Sequence, residues 1–194
     1  MQVFKTLATA AALALAAGGA NAAVYYADSV VSAVDSTPNK GSDRSDPKAA
    51  LGQADGKFYS LGLGGSLTLG FKNAPFSTAD VSVFEITFGG GAASGHKEAA
   101  EVYALNSKTG DSWLLGVLDN IKTGSTVRGS AGSFDQIKLV DVSKSYFAST
   151  GTKTTDGFDV DSVAIAPVPV PAAGMMLLAG LGGFAALRRR RNAA

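Results

Sequence analysis

Cysteine is absent from the 194-residue chain, and histidine occurs once, at His96. Without thiols, neither a disulfide nor a thiolate metal site can stabilise the fold, so stability must come from a conventional apolar core. A single histidine excludes a multi-histidine zinc site and leaves almost no material for a histidine-centred base. The G-x-S-x-G pattern of serine hydrolases is also missing. We therefore expect a protein that is not an enzyme, with His96 in an exposed loop.

Positive charge is scarce outside the two ends of the chain. All 16 acidic residues lie within 23–167, but only 12 of the 17 basic residues do, so this part has a formal net charge of −4. The basic residues in it are also scattered. This pattern argues against a nucleic-acid partner. The glycine clusters have no GK[S/T] and no helix after them, so a nucleotide cofactor is not expected either.

The first 22 residues have the three parts of a secretory signal peptide. A positive residue, Lys5, precedes an Ala/Leu-rich run that ends in the small residues Ala20-Asn21-Ala22. This pattern predicts cleavage by signal peptidase between Ala22 and Ala23, and a mature protein that starts at Ala23. The alternative, a buried N-terminal helix, would be almost wholly Ala and would pack poorly.

The middle of the chain, 23–167, has the length of one domain and alternates with the period of β-strands. Gly-, Asn- and Pro-rich turns separate the alternating segments, and 102–116 has the pattern of a hairpin. The segments are 66–72, 80–88, 100–106, 112–118 and 136–142. They predict an all-β fold, an antiparallel sandwich of jelly-roll type.

Several segments in order also resemble a family of secreted bacterial surface modules with a galactose-binding-like, discoidin-type jelly roll. The resemblance rests on "AALGQADGKFYSLGLGGSLTLGF", "DVSVFE", "EAAEVYAL", "SWLLG", "IKLVDVS" and "DGFDVDSVAI". It implies ligand-binding loops at one end of the sandwich and, in many members, a structural calcium ion.

Four carboxylates are candidate calcium ligands under that resemblance: Glu85, Asp156, Asp159 and Asp161. Asp159 and Asp161 would share one face of a strand and repel each other unless a cation or solvent lies between them. The alternative is that these aspartates line an exposed turn and strand face, because their spacing does not match the D-x-[DN]-x-[DN]-G loop. No other cofactor is expected.

The polar segment 35–47 offers a second acidic group, with Asp35, Asp43 and Asp46. Lys40 and Arg44 in the same segment would weaken cation binding, so the segment is predicted to be a mobile solvated loop.

Aromatic side chains can stack on sugar rings, which makes them candidates for a carbohydrate site. Trp113 lies at the start of an apolar strand, where core packing is the favoured role. Tyr25, Tyr26 and Tyr59 flank the polar loops and are the better exposed candidates.

The C-terminal segment 168–194 has three parts: a proline motif, an apolar run and an arginine cluster. The run 172–187 has 16 residues, which is about 24 Å as a helix against about 30 Å of bilayer hydrocarbon. The four arginines Arg188, Arg189, Arg190 and Arg191 would stay in the cytoplasm and leave the preceding domain outside. This predicts a short, transient membrane span, with a plain C-terminal anchor as the alternative.

This arrangement resembles the PEP-CTERM sorting signal in its VPLPA variant. The motif residues are Val168, Pro169, Val170, Pro171, Ala172 and Ala173, with Val170 where the variant has Leu. The resemblance implies that an exosortase, a membrane protease, removes the segment during delivery to the cell surface or the exopolysaccharide matrix of a Gram-negative bacterium.

Together these observations predict an exported structural or adhesive protein of the envelope or biofilm. The alternative is a calcium-assisted carbohydrate-binding module with an extracellular polysaccharide as partner. An enzyme that acts on polysaccharides is less favoured: paired carboxylates could hydrolyse a glycosidic bond, but 16 acidic residues make some pair near-inevitable.

Overall fold

A computed structural model gives the fold, and it describes residues 23–37, 41–86, 95–121, 126–168 and Gly180. The described residues from Ala23 to Val168 belong to one compact unit. The predicted signal peptide (1–22) lies outside the described residues. So do the predicted sorting motif beyond Val168, the membrane span apart from Gly180, and the arginine cluster. Within the described residues, no helix is long and apolar enough to cross a membrane.

The described part of this unit contains ten strands and three helical turns. The strands are β1 (Tyr25–Tyr26), β2 (Ser29–Val34), β3 (Tyr59–Ser60), β4 (Ser66–Gly70), β5 (Phe76–Glu85), β6 (Ala99–Leu105), β7 (Ser112–Asp119), β8 (Thr126–Phe134), β9 (Gln136–Asp141) and β10 (Asp159–Pro167). The turns are two 3-10 turns, Ser42–Arg44 and Pro47–Ala50, and one helical turn, α1 (Ser143–Tyr146).

The strands form two antiparallel sheets. The first sheet has the order β1-β10-β5-β8, with β3 also paired to β10, and the second has the order β2-β4-β9-β6-β7. Every strand pair is antiparallel. The prediction of an all-β, antiparallel β-sandwich of jelly-roll type is therefore confirmed.

Alternation places one face of each sheet in the core, because successive side chains of a strand point to opposite sides. On β9, Ile137 and Leu139 are fully buried, while Lys138 between them is only half-buried. Leu67 and Leu69 of β4 are their register partners and are also fully buried. The predicted strands correspond to β4, β5, β6, β7 and β9, and the predicted hairpin is β6–β7.

Periodicity did not find β2 and β8. In β2, "SVVSAV" places valine at consecutive positions, and five of its six residues are exposed. In β8, "TVRGSAGSF" contains two glycines and few apolar residues. Neither segment alternates, so only pairing with β4 and β5 identifies them as strands.

The strand register places the connecting loops at two ends of the sandwich. At one end, Gly70 of β4 pairs with Gln136 of β9, which pairs with Leu105 of β6. We call this the cleft end. At the other, Val160 of β10 pairs with Glu85 of β5. We call this the acidic end.

Candidate functional site

A cleft of about 500 Å³ lies at the cleft end of the sandwich. Its walls come from four places: the start of β2, the turn between β4 and β5, the β6–β7 hairpin, and the junction of β8 and β9. The lining includes Asp28, Ser29, Phe71, Lys72, Pro75, Asn106, Lys108, Ser133, Phe134, Asp135 and Gln136. Concave sites with a few convergent polar groups are typical of ligand binding.

Aromatic side chains anchor the wall beneath the polar groups. The ring centroids of Phe76 and Phe134 are 5.8 Å apart, and those of Phe71 and Phe76 are 6.1 Å apart in an edge-to-face arrangement. Phe71 is only 5% and Phe134 only 1% exposed. These rings therefore give the cleft a rigid apolar base but present little open face for stacking on a sugar.

Asn106 shapes the hairpin that forms one wall. Its side-chain Oδ1 accepts hydrogen bonds from the backbone N–H groups of Lys108 (2.9 Å) and Thr109 (3.2 Å). Its Nδ2 donates to the carbonyl of Ser133 at 2.6 Å, which ties the hairpin to β8. Asparagine favours such turns because its short amide can replace a backbone partner.

The two carboxylates of the cleft are held by neighbouring loops. Asp28 Oδ2 accepts the backbone N–H of Lys72 at 2.7 Å. Asp135 Oδ1 accepts the backbone N–H of Ser107 at 2.9 Å, and its Oδ2 accepts the Ser107 hydroxyl. Both carboxylates therefore have fixed positions before any ligand arrives.

The two lysines of the cleft supply its positive charge. Lys72 and Lys108 form no ion pair with another described residue. With two lysines and two aspartates in the lining, the formal charges of the cleft balance. The cleft can therefore donate hydrogen bonds from the ammonium groups and accept them at Asp28 without favouring a charged ligand.

The sequence did not single out these residues as a site. "KNAPFSTAD" and "NSKTGD" have the composition of turns, but that pattern only indicates a change of chain direction. That the two turns share one end of the sandwich follows from the β4–β9–β6 register.

The predicted calcium ligands lie at the acidic end, and three of them, Asp156, Asp159 and Asp161, have identified protein partners. The fourth, Glu85, is the last residue of β5 and pairs with Val160 of β10. Asp159 accepts a hydrogen bond from the Ser60 hydroxyl. Asp161 accepts the backbone N–H groups of Asp55 and Gly56, both at 3.0 Å. A register shift between Val160 and Ser162 interrupts the alternation of β10 next to Asp161.

Asp156 forms an ion pair with Arg44, whose Nη1 lies 2.7 Å from Asp156 Oδ2. The Arg44 guanidinium also lies over the ring of Phe58, 5.6 Å from its centroid. A protein cation thus already neutralises one of the predicted ligands. Among the described residues, no group of three Asp, Glu, His or Cys side chains could hold a metal ion.

The interpretation of these aspartates as an exposed face is wrong for Asp159 and Asp161. Asp159 is 3% and Asp161 5% exposed, because β10 lies inside the first sheet between β5 and the pair β1 and β3. The alternation of residues in the sequence cannot reveal that the polar start of β10 is shielded from solvent by neighbouring segments.

Glu98 is a buried carboxyl at the acidic end that the sequence analysis missed. It is 5% exposed and accepts a hydrogen bond from Thr154 Oγ1 at 2.7 Å. Burial, with repulsion from Asp159 and Glu85, raises the pKa of Glu98 to about 9, although the Thr154 hydrogen bond opposes this. Burial likewise raises the pKa of Asp159 to about 7, against the Ser60 hydrogen bond. These two carboxyls therefore favour the protonated form.

The segment 35–47 is more structured than predicted. Ser42–Arg44 and Pro47–Ala50 are 3-10 turns, and Asp46 caps the second by accepting the backbone N–H of Lys48 at 2.9 Å. Asp35 accepts the backbone N–H of Thr37 at 3.0 Å. Asp43 remains exposed, whereas Lys40 lies outside the described residues.

The predictions for single aromatic residues and for histidine had different outcomes. Trp113 packs against the core, as favoured. Tyr59 was predicted to be exposed, which is wrong, because it is 2% exposed on β3 beside β10. Tyr25 and Tyr26 are half-buried, and the Tyr25 ring lies 5.6 Å from that of Phe76. His96 is half-buried, not fully exposed.

No protein-family model matches the chain, and no curated protein matches it significantly. A solved family 32 carbohydrate-binding module from Streptococcus pneumoniae EndoD is similar with a TM-score of 0.46 and 13% identity, over 72% of this chain and 95% of that chain. A mutant lectin binding domain of Lectinolysin complexed with Lewis b is similar with a TM-score of 0.44 and 10% identity, over 70% of this chain and 95% of that chain.

A third solved structure, GH31 CBM32-2 bound to GalNAc, has a TM-score of 0.36 and 13% identity, over 77% of this chain and 100% of that chain. We draw no functional conclusion from similarity at this level.

Proposed function

We propose that residues 23–168 form a non-catalytic carbohydrate-binding module of a protein exported to the cell surface or extracellular matrix of a Gram-negative bacterium. The observation that carries this proposal is the cleft of about 500 Å³ with its fixed mixture of hydrogen-bond donors and acceptors. Sugar hydroxyls donate and accept hydrogen bonds at once, so they need both kinds of partner within one concave site.

The charges of the cleft indicate a neutral glycan. Lys72 and Lys108 can donate to hydroxyl oxygens, and Asp28 can accept from hydroxyl groups. An anionic sugar would be attracted by the lysines but repelled by Asp28 and Asp135, so its charge brings little net gain. A neutral sugar uses the same donors and acceptors without that repulsion.

The arrangement of the carboxylates favours binding over turnover. Asp135 uses both of its oxygens to hold Ser107, and Asp28 uses one to hold the backbone of Lys72. A glycosidase needs one carboxylic acid to protonate the leaving oxygen and one carboxylate to assist the attack. Two carboxylates engaged in holding loops are poorly suited to those roles.

A glycan array tests the proposal, probed with residues 23–168 as wild type and as the Asp28→Ala and Lys72→Ala variants. We expect saturable binding to a neutral glycan, at least tenfold weaker in both variants and little changed by added salt. Lys144→Ala is the matched control, because Lys144 is exposed on α1 and away from the cleft lining. Binding that persists in both cleft variants, or no binding to any glycan, would contradict the proposal.

We also propose that both ends of the chain are processed. Signal peptidase would cut between Ala22 and Ala23, and an exosortase would act at the motif that starts at Val168, after a transient membrane stage through 172–187. Val168 directly follows β10, and its backbone N–H donates to the Thr78 carbonyl at 3.1 Å. Intact-mass spectrometry of the surface protein tests this: a mass that retains Arg188 to Arg191 would contradict removal of the segment.

A further inference from the structure

The outer face of the second sheet carries two cross-strand rows with an unusual composition. One row runs across the five strands as Val34, Ser66, Val140, Glu101 and Val117. The next row runs as Ser32, Thr68, Lys138, Tyr103 and Leu114. We call these ten residues the outer face.

Three large apolar side chains of the outer face are exposed to solvent. Val34 is 58%, Leu114 54% and Val117 36% exposed. They come from β2 and β7, the two outermost strands of the sheet, so the apolar groups flank the face on both sides. The three inner strands separate Val34 from Leu114 and Val117, and this middle part of the face carries both charged residues.

Only two of the ten residues are charged, and their charges are opposite. Lys138 lies opposite Tyr103, and Glu101 lies opposite Val140, so the two charged residues are diagonal neighbours on β9 and β6. They form no ion pair with each other among the described residues. Glu101 instead accepts the Tyr103 hydroxyl at 2.6 Å, which turns its carboxylate along its own strand.

We propose that the outer face binds a second copy of this chain about a two-fold axis. In a two-fold contact the same patch faces itself, and each residue meets its counterpart in reciprocal pairs. An axis between Lys138 and Glu101 places the lysine of each copy against the glutamate of the other, twice in one interface. The patch is thus complementary to itself in charge.

The net charge of the domain favours the outer face as the surface on which a second copy binds. Residues 23–167 carry 12 basic and 16 acidic residues, so two copies repel each other on average. The outer face has no net charge and is therefore a surface on which copies can approach. This contact is separate from the cleft, whose lining contains none of the ten residues.

The area of the outer face indicates a weak, reversible contact. Five strands at a spacing of about 4.8 Å and two rows of about 7 Å each give about 330 Å² per copy. A stable protein interface usually buries about 800 Å² per partner. We therefore expect self-association that is observed at high local concentration, as in a surface layer or matrix.

Charge-reversal substitutions at Lys138 and Glu101 in the full chain test the proposal. The chain has no cysteine, so Ser149→Cys, in the exposed turn after α1, provides one labelling site for donor and acceptor dyes. Energy transfer between labelled copies is followed against protein concentration. We expect Lys138→Glu and Glu101→Lys each to weaken association at least tenfold, because each variant sets like charges against each other. Lys144→Glu, also exposed, is the matched control and should leave association unchanged.

Mixing the two single variants gives the decisive measurement. The Lys138→Glu copy has two acidic groups on the outer face and the Glu101→Lys copy has two basic groups, so an equimolar mixture of the two should regain association. The exchanged chain E101K/K138E, which again has one charge of each sign, should also associate. Restored association also shows that the single variants are folded. The proposal is overturned if the wild type does not associate up to millimolar concentration, if neither reversal weakens association, or if the mixture and the exchanged chain fail to regain it.

Discussion

The indole ring of Trp113 on β7 lies directly against the backbone of Gly132 on β8. A Cβ atom built on Gly132 would lie 2.7 Å from Cζ2 and 3.0 Å from Cη2 of that ring. A similar contact occurs at Gly129, where a Cβ would lie 2.2 Å from Cδ2 of Leu115. The two sheets therefore approach each other along β7 and β8 because β8 has glycine where β7 presents large side chains.

We expect Gly132→Ala to destabilise the domain, because the added methyl group overlaps a rigid ring. Overpacking of this kind costs about 1–3 kcal/mol. Chemical unfolding of the wild type, Gly132→Ala, Trp113→Leu and the double variant measures it. In the Trp113→Leu background, where the side chain is smaller, the cost of the alanine should fall. A cost that is equal in both backgrounds would show that the ring is not responsible.

The stability of the domain should fall as pH rises from about 5 to 9. The pKa of Glu98 is raised to about 9 in the folded state, so folded Glu98 keeps its proton while the unfolded chain loses it. The stabilisation is complete below the unfolded pKa, near 4.5, and is lost as pH rises through the folded value. Asp159, with a folded pKa of about 7, acts in the same direction at lower pH.

Melting temperatures of the wild type and Glu98→Gln between pH 5 and 9 test this expectation. The glutamine cannot ionise and can still accept the Thr154 hydroxyl, so the variant should lose stability less steeply. Glu101→Gln, on the outer face, is the control and should retain the wild-type slope. Parallel curves for the wild type and Glu98→Gln would contradict the assignment.

We expect calcium and chelators to leave the melting temperature of the wild type unchanged, because Arg44 already pairs with Asp156 and Asp161 holds the turn at Asp55 and Gly56. Arg44→Ala should lower stability by about 1 kcal/mol through loss of this partly buried ion pair. Lys57→Ala, which removes an exposed ion pair with Asp55, should have a smaller effect. Calorimetry of the wild type with calcium gives the direct answer, and stoichiometric binding would contradict this expectation.

Asn106→Ala should loosen the β6–β7 hairpin and weaken glycan binding together. The substitution removes the acceptor for two backbone N–H groups and the donor to Ser133, which we expect to cost about 1–2 kcal/mol. Asn73→Ala is the matched control, since Asn73 lies in the neighbouring turn but does not line the cleft. Unfolding and glycan titration of both variants separate the outcomes. Unchanged affinity in Asn106→Ala would remove this wall from the proposed site.

Much of the fold could be predicted from local pattern. In β4, β6 and β9 the apolar residues alternate, because each strand has one face in the core and one outside it. The sequence "NSKTGD" likewise predicted the β6–β7 hairpin, because asparagine and glycine supply the backbone angles of its turn. β2 and β8 escaped detection because an exposed outer strand and a glycine-rich strand do not alternate.

The candidate site could not be predicted in the same way. Asp28, Lys72 and Asn106 belong to three separate connections, and Gln136 begins β9, so the four residues are far apart in sequence. No local pattern marks them, since their association depends on which strand pairs with which.

By itself, the sequence determined the all-β class, most strands of the second sheet and the absence of thiol and multi-histidine chemistry, because these follow from composition and from periodicity over a few residues. Only the tertiary structure decided that the cleft exists, that Glu98 and Asp159 are buried with raised pKa values, and that Arg44 pairs with Asp156. Those properties depend on which distant segments exclude water from a side chain and which charges come within a few ångströms of each other. Strand register fixes both.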